Sequence, residues 1–248
     1  QLGLYYVNPN SHWVAGFGRL YVPWATSLNT LDGGYLGLRL GKRVITGFFA
    51  GTTPDPTSWN YNPNRRMAGA FVAFEAGSFD SARYTGSFGL GVSAIRWRIE
   101  RPFVFAENSI FFKRYVSIYH SLEADRPRLS APASANPGAT VPAPNSNTTG
   151  ISRSYLTVRI QPHPRVSLDI NHNYFRDFPT FDPNLISTGL LDKLLFQGLS
   201  GGARVELPWR IALYTNIGRS TRTGDAKSSW NQLYGITLGQ VWKTGVRA

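Results

Sequence analysis

The sequence of 248 residues contains no cysteine and one methionine. A disulfide framework and a thiolate metal site are therefore excluded, and the redox compartment stays open. No run of about eighteen apolar residues occurs, so no membrane-spanning helix is available. Charged residues are scarce at 16%, and acidic ones scarcest, 14 against 26 basic. There is no His-x-x-x-His or HExxH spacing and no Asp-rich calcium loop, so no metal or cofactor is expected. Helical periodicity is also missing, apart from one short stretch at Asn184–Phe196.

Aromatic residues (14%) and glycine (25) are plentiful, which fits strands. With 42% apolar residues and no linker between two cores, the chain reads as one folded domain, 1–248. Alternation of period two recurs along it. Leu36, Leu38 and Leu40 alternate with Gly37, Arg39 and Gly41; Leu156, Val158 and Ile160 with Thr157, Arg159 and Gln161; Val166, Leu168 and Ile170 with Ser167, Asp169 and Asn171; Ala203, Val205 and Leu207 with Gly202, Arg204 and Glu206. The pattern predicts strands at 2–7, 13–22, 34–41, 44–51, 67–76, 83–95, 103–112, 115–123, 154–161, 166–176, 199–207, 211–218 and 231–242. Several approach the nine to eleven residues that a tilted strand needs to cross a bilayer.

Connections alternate between tight and loose. Tight ones lie at 41–43, 78–82, 112–114, 162–165, 208–210 and 242–245; loose ones at 25–34, 52–66, 125–153, 178–196 and 219–229. In an up-and-down meander every second connection lies at the same end, so one end is smooth and the other carries loops. The exception is 96–102, where a long loop is due and the sequence offers a short turn.

These hairpins, at 34–51, 103–123, 154–177, 199–218 and 231–248, resemble Gram-negative outer-membrane β-barrel proteins of the porin type. The resemblance implies an all-β, antiparallel up-and-down transmembrane barrel of about twelve or more strands in the bacterial outer membrane. Short turns would face the periplasm and long loops the exterior. Membrane lipids are the implied partners, with other subunits of an outer-membrane assembly as further candidates. Such barrels commonly close on a strand with a terminal aromatic residue; Gly245-Val246-Arg247-Ala248 does not supply one, so the barrel is expected to be incomplete at its C-terminus.

The expected function is a pore, transport channel or barrel scaffold whose basic lumen prefers anions. Arg39, Arg159, Asp169, Arg204 and Glu206 are the lumen and selectivity candidates, with Arg159 and Asp169 nearly opposite across the turn at 162–165. A structural cross-strand pair is the simplest role for those two. Trp209, Trp242, Tyr174, Phe175, Lys113 and Arg114 sit at strand ends, where aromatic rings and cations meet the membrane interface. Asp177 and Asp182 suit loop capping. The glycines of GSFGLGVSA at 86–94 have no helix after them and suit close contact with a neighbouring surface.

Two other classes compete. A soluble carbohydrate-binding sandwich or jelly roll would use exposed Trp and Tyr and need no detergent. A barrel enzyme would need His120 or His172 beside Ser121, Asp169 or a loop acid at the rim, and no spacing singles out such a set; no catalysis is expected. Of the 26 basic residues, 21 are arginine, but they are scattered instead of forming a run, which speaks against nucleic acid.

Overall fold

The computed structural model describes all residues except 1, 9, 26–27, 29, 56–57, 126–149, 177–194, 209–210, 223–225 and 240–248. Thirteen strands follow one another: β1 (Gly3–Val7), β2 (Trp13–Leu20), β3 (Leu31–Leu40), β4 (Val44–Thr52), β5 (Arg65–Gly77), β6 (Ala82–Ile95), β7 (Arg98–Phe112), β8 (Val116–Asp125), β9 (Gly150–His163), β10 (Val166–Arg176), β11 (Leu195–Leu207), β12 (Ile211–Arg222) and β13 (Ser229–Leu238). They form one sheet in chain order, and each pairs antiparallel with the next. This is the all-β up-and-down architecture expected from the alternation. Among the described residues β1 and β13 are edges and are not paired with each other.

Strand positions agree with the sequence pattern, but several strands extend further toward the loop end. β7 begins at Arg98, not 103: Pro102 stays in register opposite Val92, and β7 then carries one extra residue between Arg101, opposite Ser93, and Ile99, opposite Ala94. A proline lacks the donor a regular ladder needs, which is why the alternation reads as starting after it. β8 and β9 likewise run on to Asp125 and back to Gly150, around a second irregularity at Glu123/Ala124. The helical stretch expected at 184–196 lies outside the described residues, except for Leu195 and Phe196, which open β11.

Paired residues point to the same side of a sheet, so each side chain's side can be followed from strand to strand. One side carries Tyr35, Phe49, Phe71 and Phe105, all buried. The rings of Phe49 on β4 and Phe105 on β7 lie 6.3 Å apart. A flat sheet would separate these strands by about 14 Å, so this side is concave. Residues of the β2–β3 connection fold onto it: Val22, Ala25 and Leu28 are buried there, and Trp24 stacks on Phe71 with centroids 5.3 Å apart. The core therefore sits inside the curl of β2–β7.

The opposite side is convex and apolar. It presents Leu36, Leu38 and Leu40 on β3, Phe88 and Leu90 on β6, Ile118 on β8, Val158 and Ile160 on β9, Leu168 and Ile170 on β10, and Tyr234 and Ile236 on β13. Phe17, Phe48, Phe88 and Leu90 each have more than half their surface exposed. No helix among the described residues is long and apolar enough to cross a membrane.

Candidate functional site

The concave wall differs from strand to strand. On β2–β7 its rings lie across glycines of the neighbouring strand. A Cβ added to Gly91 would stand 2.5 Å from Phe103 Cζ, and one on Gly69 would stand 2.6 Å from Phe49 Cζ. Phe103 pairs with Gly91, Phe49 with Gly69, Tyr35 with Gly16 and Phe105 with Gly89. Gly89 and Gly91 belong to the run at 86–94, so the expectation of close contact with a neighbouring surface holds there. From β8 to β12 the same wall is more polar: Ser117, Thr157, Asn171, Ser200 and Asn216 stand among the rings of Tyr119, Tyr155, Phe175 and Tyr214.

All five lumen candidates stand on this concave side. Arg39 pairs with Ile45, Arg159 with Asp169 and Ser117, and Arg204 with Tyr214. Arg204 Nη2 lies 3.2 Å from Glu206 Oε1, a bridge along one strand with both groups about half exposed. Arg159 and Asp169 are direct register partners, but among the described residues no carboxylate comes within 4 Å of Arg159. The carboxylate of Asp169 instead lies over Gly202, where a Cβ would come within 2.7 Å of Oδ2, and accepts a 3.4 Å hydrogen bond from Asn171 Nδ2. The expected cross-strand pair is thus an opposed but unbridged couple.

A cavity of about 860 Å³ opens on the concave side toward the short-turn end. Its lining includes Trp24, Arg39, Lys42, Arg43, Glu75, Arg83, Glu107 and Tyr119. Arg83 is bound to Glu75 at 2.6 Å. Arg39 Nε is buried and has no hydrogen-bond partner among the described residues.

Toward the long-loop end the wall holds a buried cluster of which only Glu123 falls within an expected strand; Arg101, Asp125 and Ser152 lie beyond the expected bounds. Arg101 forms ion pairs with both Glu123 and Asp125 and donates from Nη2 to Ser152 Oγ at 3.2 Å. Ser152 in turn donates to the Glu123 carbonyl at 3.1 Å. Its signal was the continued alternation Leu122-Glu123-Ala124-Asp125, masked by the charge of the inward positions. Among the described residues the concave arginines 39, 65, 83, 98, 101, 153, 159 and 204 share that side with Glu75, Glu107, Glu123, Asp125, Asp169 and Glu206, so most of its positive charge is offset there.

The interface candidates divide. Tyr174 points to the convex side; Phe175 pairs with Arg153 and shares the concave side with Asp169, because neighbours on a strand alternate. Lys113 (φ 47°) and Arg114 form the β7–β8 turn, with the Arg114 guanidinium 5.5 Å from the Tyr115 ring. Trp209 and Trp242 lie outside the described residues, as do Asp177 and Asp182. His120 and His172 both project to the convex side, flanking Leu156, whereas Ser121 and Asp169 are concave. The wall separates these histidines from Ser121 and Asp169.

No family model matches the chain, and no curated protein matches it. Solved structures similar to it include the outer membrane protein OpdK from Pseudomonas aeruginosa (14% identity, 91% of this chain and 60% of that one, TM-score 0.41). OpdO from the same organism gives 8% identity, 94% and 66% coverage and a TM-score of 0.45. OccAB1 from Acinetobacter baumannii gives 8%, 94% and 67%, and 0.43. The chain spans between 56% and 64% of the length of the matched OpdK chains. At these values the likeness is one of general sheet architecture.

Proposed function

We propose that the chain forms the wall of an outer-membrane β-barrel channel, apolar side to lipid and concave side to water. The carrying observation is the inversion of the sheet. Its convex side is almost continuously apolar from β3 to β13, and the concave side bears the arginines, carboxylates and amides. In hydrocarbon every backbone polar group needs an internal partner, which strands supply through their neighbours. A soluble sandwich would bury its apolar side against a second sheet, and this one leaves it open.

The proposed channel prefers anions, modestly. Most concave carboxylates stand beside arginines, whereas Arg39 and Arg159 face the open side without an ion pair among the described residues. Lys42 and Arg43 add charge at the short-turn mouth. The test is planar-bilayer conductance of the reconstituted chain under a salt gradient. A reversal potential of anion sign is expected, and one of cation sign would remove the selectivity reading. A chain that stays monodisperse without detergent or lipid would end the membrane reading.

A further inference from the structure

The β6–β7 connection broke the alternation of short and long loops, and its geometry is unusual. Arg96 and Trp97 both adopt left-handed backbone (φ 49° and 70°), between the paired residues Ile95 and Arg98. This two-residue hairpin turn normally takes Asn-Gly, because a Cβ is disfavoured at both positions. The strained turn holds Trp97 80% exposed at the long-loop end. The Arg66 guanidinium lies 3.3 Å from the centre of the Trp97 ring, and its Nε donates to the Pro63 carbonyl at 3.1 Å. Arg66 Nη1 has no hydrogen-bond partner among the described residues.

Arg66 belongs to a convex row running Arg19, Asp32, Thr52, Arg66, Ala94 through four strand registers. Arg19 is already engaged, by Asp32 at 2.5 Å and by the Trp59 carbonyl at 2.7 Å. Trp59 is a second tryptophan held in left-handed backbone, and it is 55% exposed. Below the row on the same side begin Phe17, Phe48, Leu90 and Val92. Cations and tryptophans thus border an apolar surface at the level where lipid headgroups would lie.

We propose that Arg66, Arg96 and Trp97 form a site for the phosphate of a lipid headgroup in the leaflet at the long-loop end, a reading that rests on the membrane assignment above. With Nε held by the Pro63 carbonyl and Nη1 buried, the stack leaves Arg66 Nη2 for a charge-assisted contact with a phosphate oxygen. The neighbouring guanidinium of Arg19 is neutralised, so Arg66 and Arg96 supply the net charge. The turn's strain is explained if Asn-Gly, which would relax the backbone, removes the ring that orients Arg66.

The test reconstitutes the full chain in phosphatidylcholine nanodiscs containing either a bisphosphorylated disaccharide lipid or its dephosphorylated form. Lipid retained after extraction into detergent is counted by native mass spectrometry, with and without inorganic phosphate as competitor. Wild type should retain the phosphorylated lipid, R66Q/R96Q about tenfold less. R96N/W97G should melt higher yet retain less, which separates recognition from folding. Free phosphate should lower retention, as expected of a site that recognises the phosphate itself; equal retention by R66Q/R96Q or equal binding of the dephosphorylated lipid would each overturn the headgroup site while leaving the membrane reading intact. Failure to enter nanodiscs of any composition would overturn both.

Discussion

The two parts of the concave wall solve one packing problem in opposite ways. β2–β7 place rings over glycines and add Val22, Trp24, Ala25 and Leu28 from the β2–β3 connection, so an apolar core fills the middle of their concave side. β8–β12 set hydroxyls, amides and charges among a few tyrosines, with Thr157 Oγ1 donating to Asn171 Oδ1 at 2.8 Å and the Tyr119 and Tyr155 rings 5.9 Å apart. Both parts present the same apolar convex side. The convex side is thus set by one surrounding solvent along the whole sheet, whereas the concave side varies with local use.

Breaking the seam between the parts should have the largest effect. Arg101 links β7 to β8 and β9, and its removal leaves Glu123 and Asp125 buried without their cation. R101A should cost about 3–5 kcal/mol, read as a lower denaturant midpoint of the detergent-solubilised chain. Overpacking the ring-lined part comes next. G91A sets a Cβ 2.5 Å from Phe103 Cζ and should cost about 1–3 kcal/mol, while G202A, whose Cβ meets only the movable Asp169 carboxylate, should stay within about 0.5 kcal/mol. If both changes cost the same, the contrast between the parts is wrong.

Trp24 tests the boundary between the filled part and the cavity. W24A removes the stack on Phe71 and the edge contact to Tyr35 at 5.7 Å, and should cost about 1 kcal/mol while raising single-channel conductance. The smallest stability effect belongs to R39Q/R159Q, within about 0.5 kcal/mol of wild type. Its signature is a reversal potential moved toward cation sign. An unchanged potential would assign the anion preference to the mouth residues Lys42 and Arg43.

The sequence made the meander and its sidedness legible because Leu36/Leu38/Leu40 and Val158/Ile160 repeat at period two with no competing helical signal. The inward placement of Arg39, Arg159, Asp169, Arg204 and Glu206 followed from the same period. The buried Arg101 cluster did not, because charges near loops read as solvent-exposed, and Pro102 with the bulge beside Arg101 hid the start of the strand. Partner choice was equally hidden. Whether Asp169 meets Arg159 or lies over Gly202 depends on side-chain torsions that no spacing encodes. The Arg96-Trp97 turn was visible only as a break in rhythm.

The rings laid over glycines have one more consequence. Each joins two neighbouring strands through a large side chain and the absence of one, and the four pairs lie across β2–β7. A shift of either strand by one residue would turn the ring to the other face and set a Cβ where the hollow had been. A hairpin out of step by one residue would therefore find no seat for its aromatic rings.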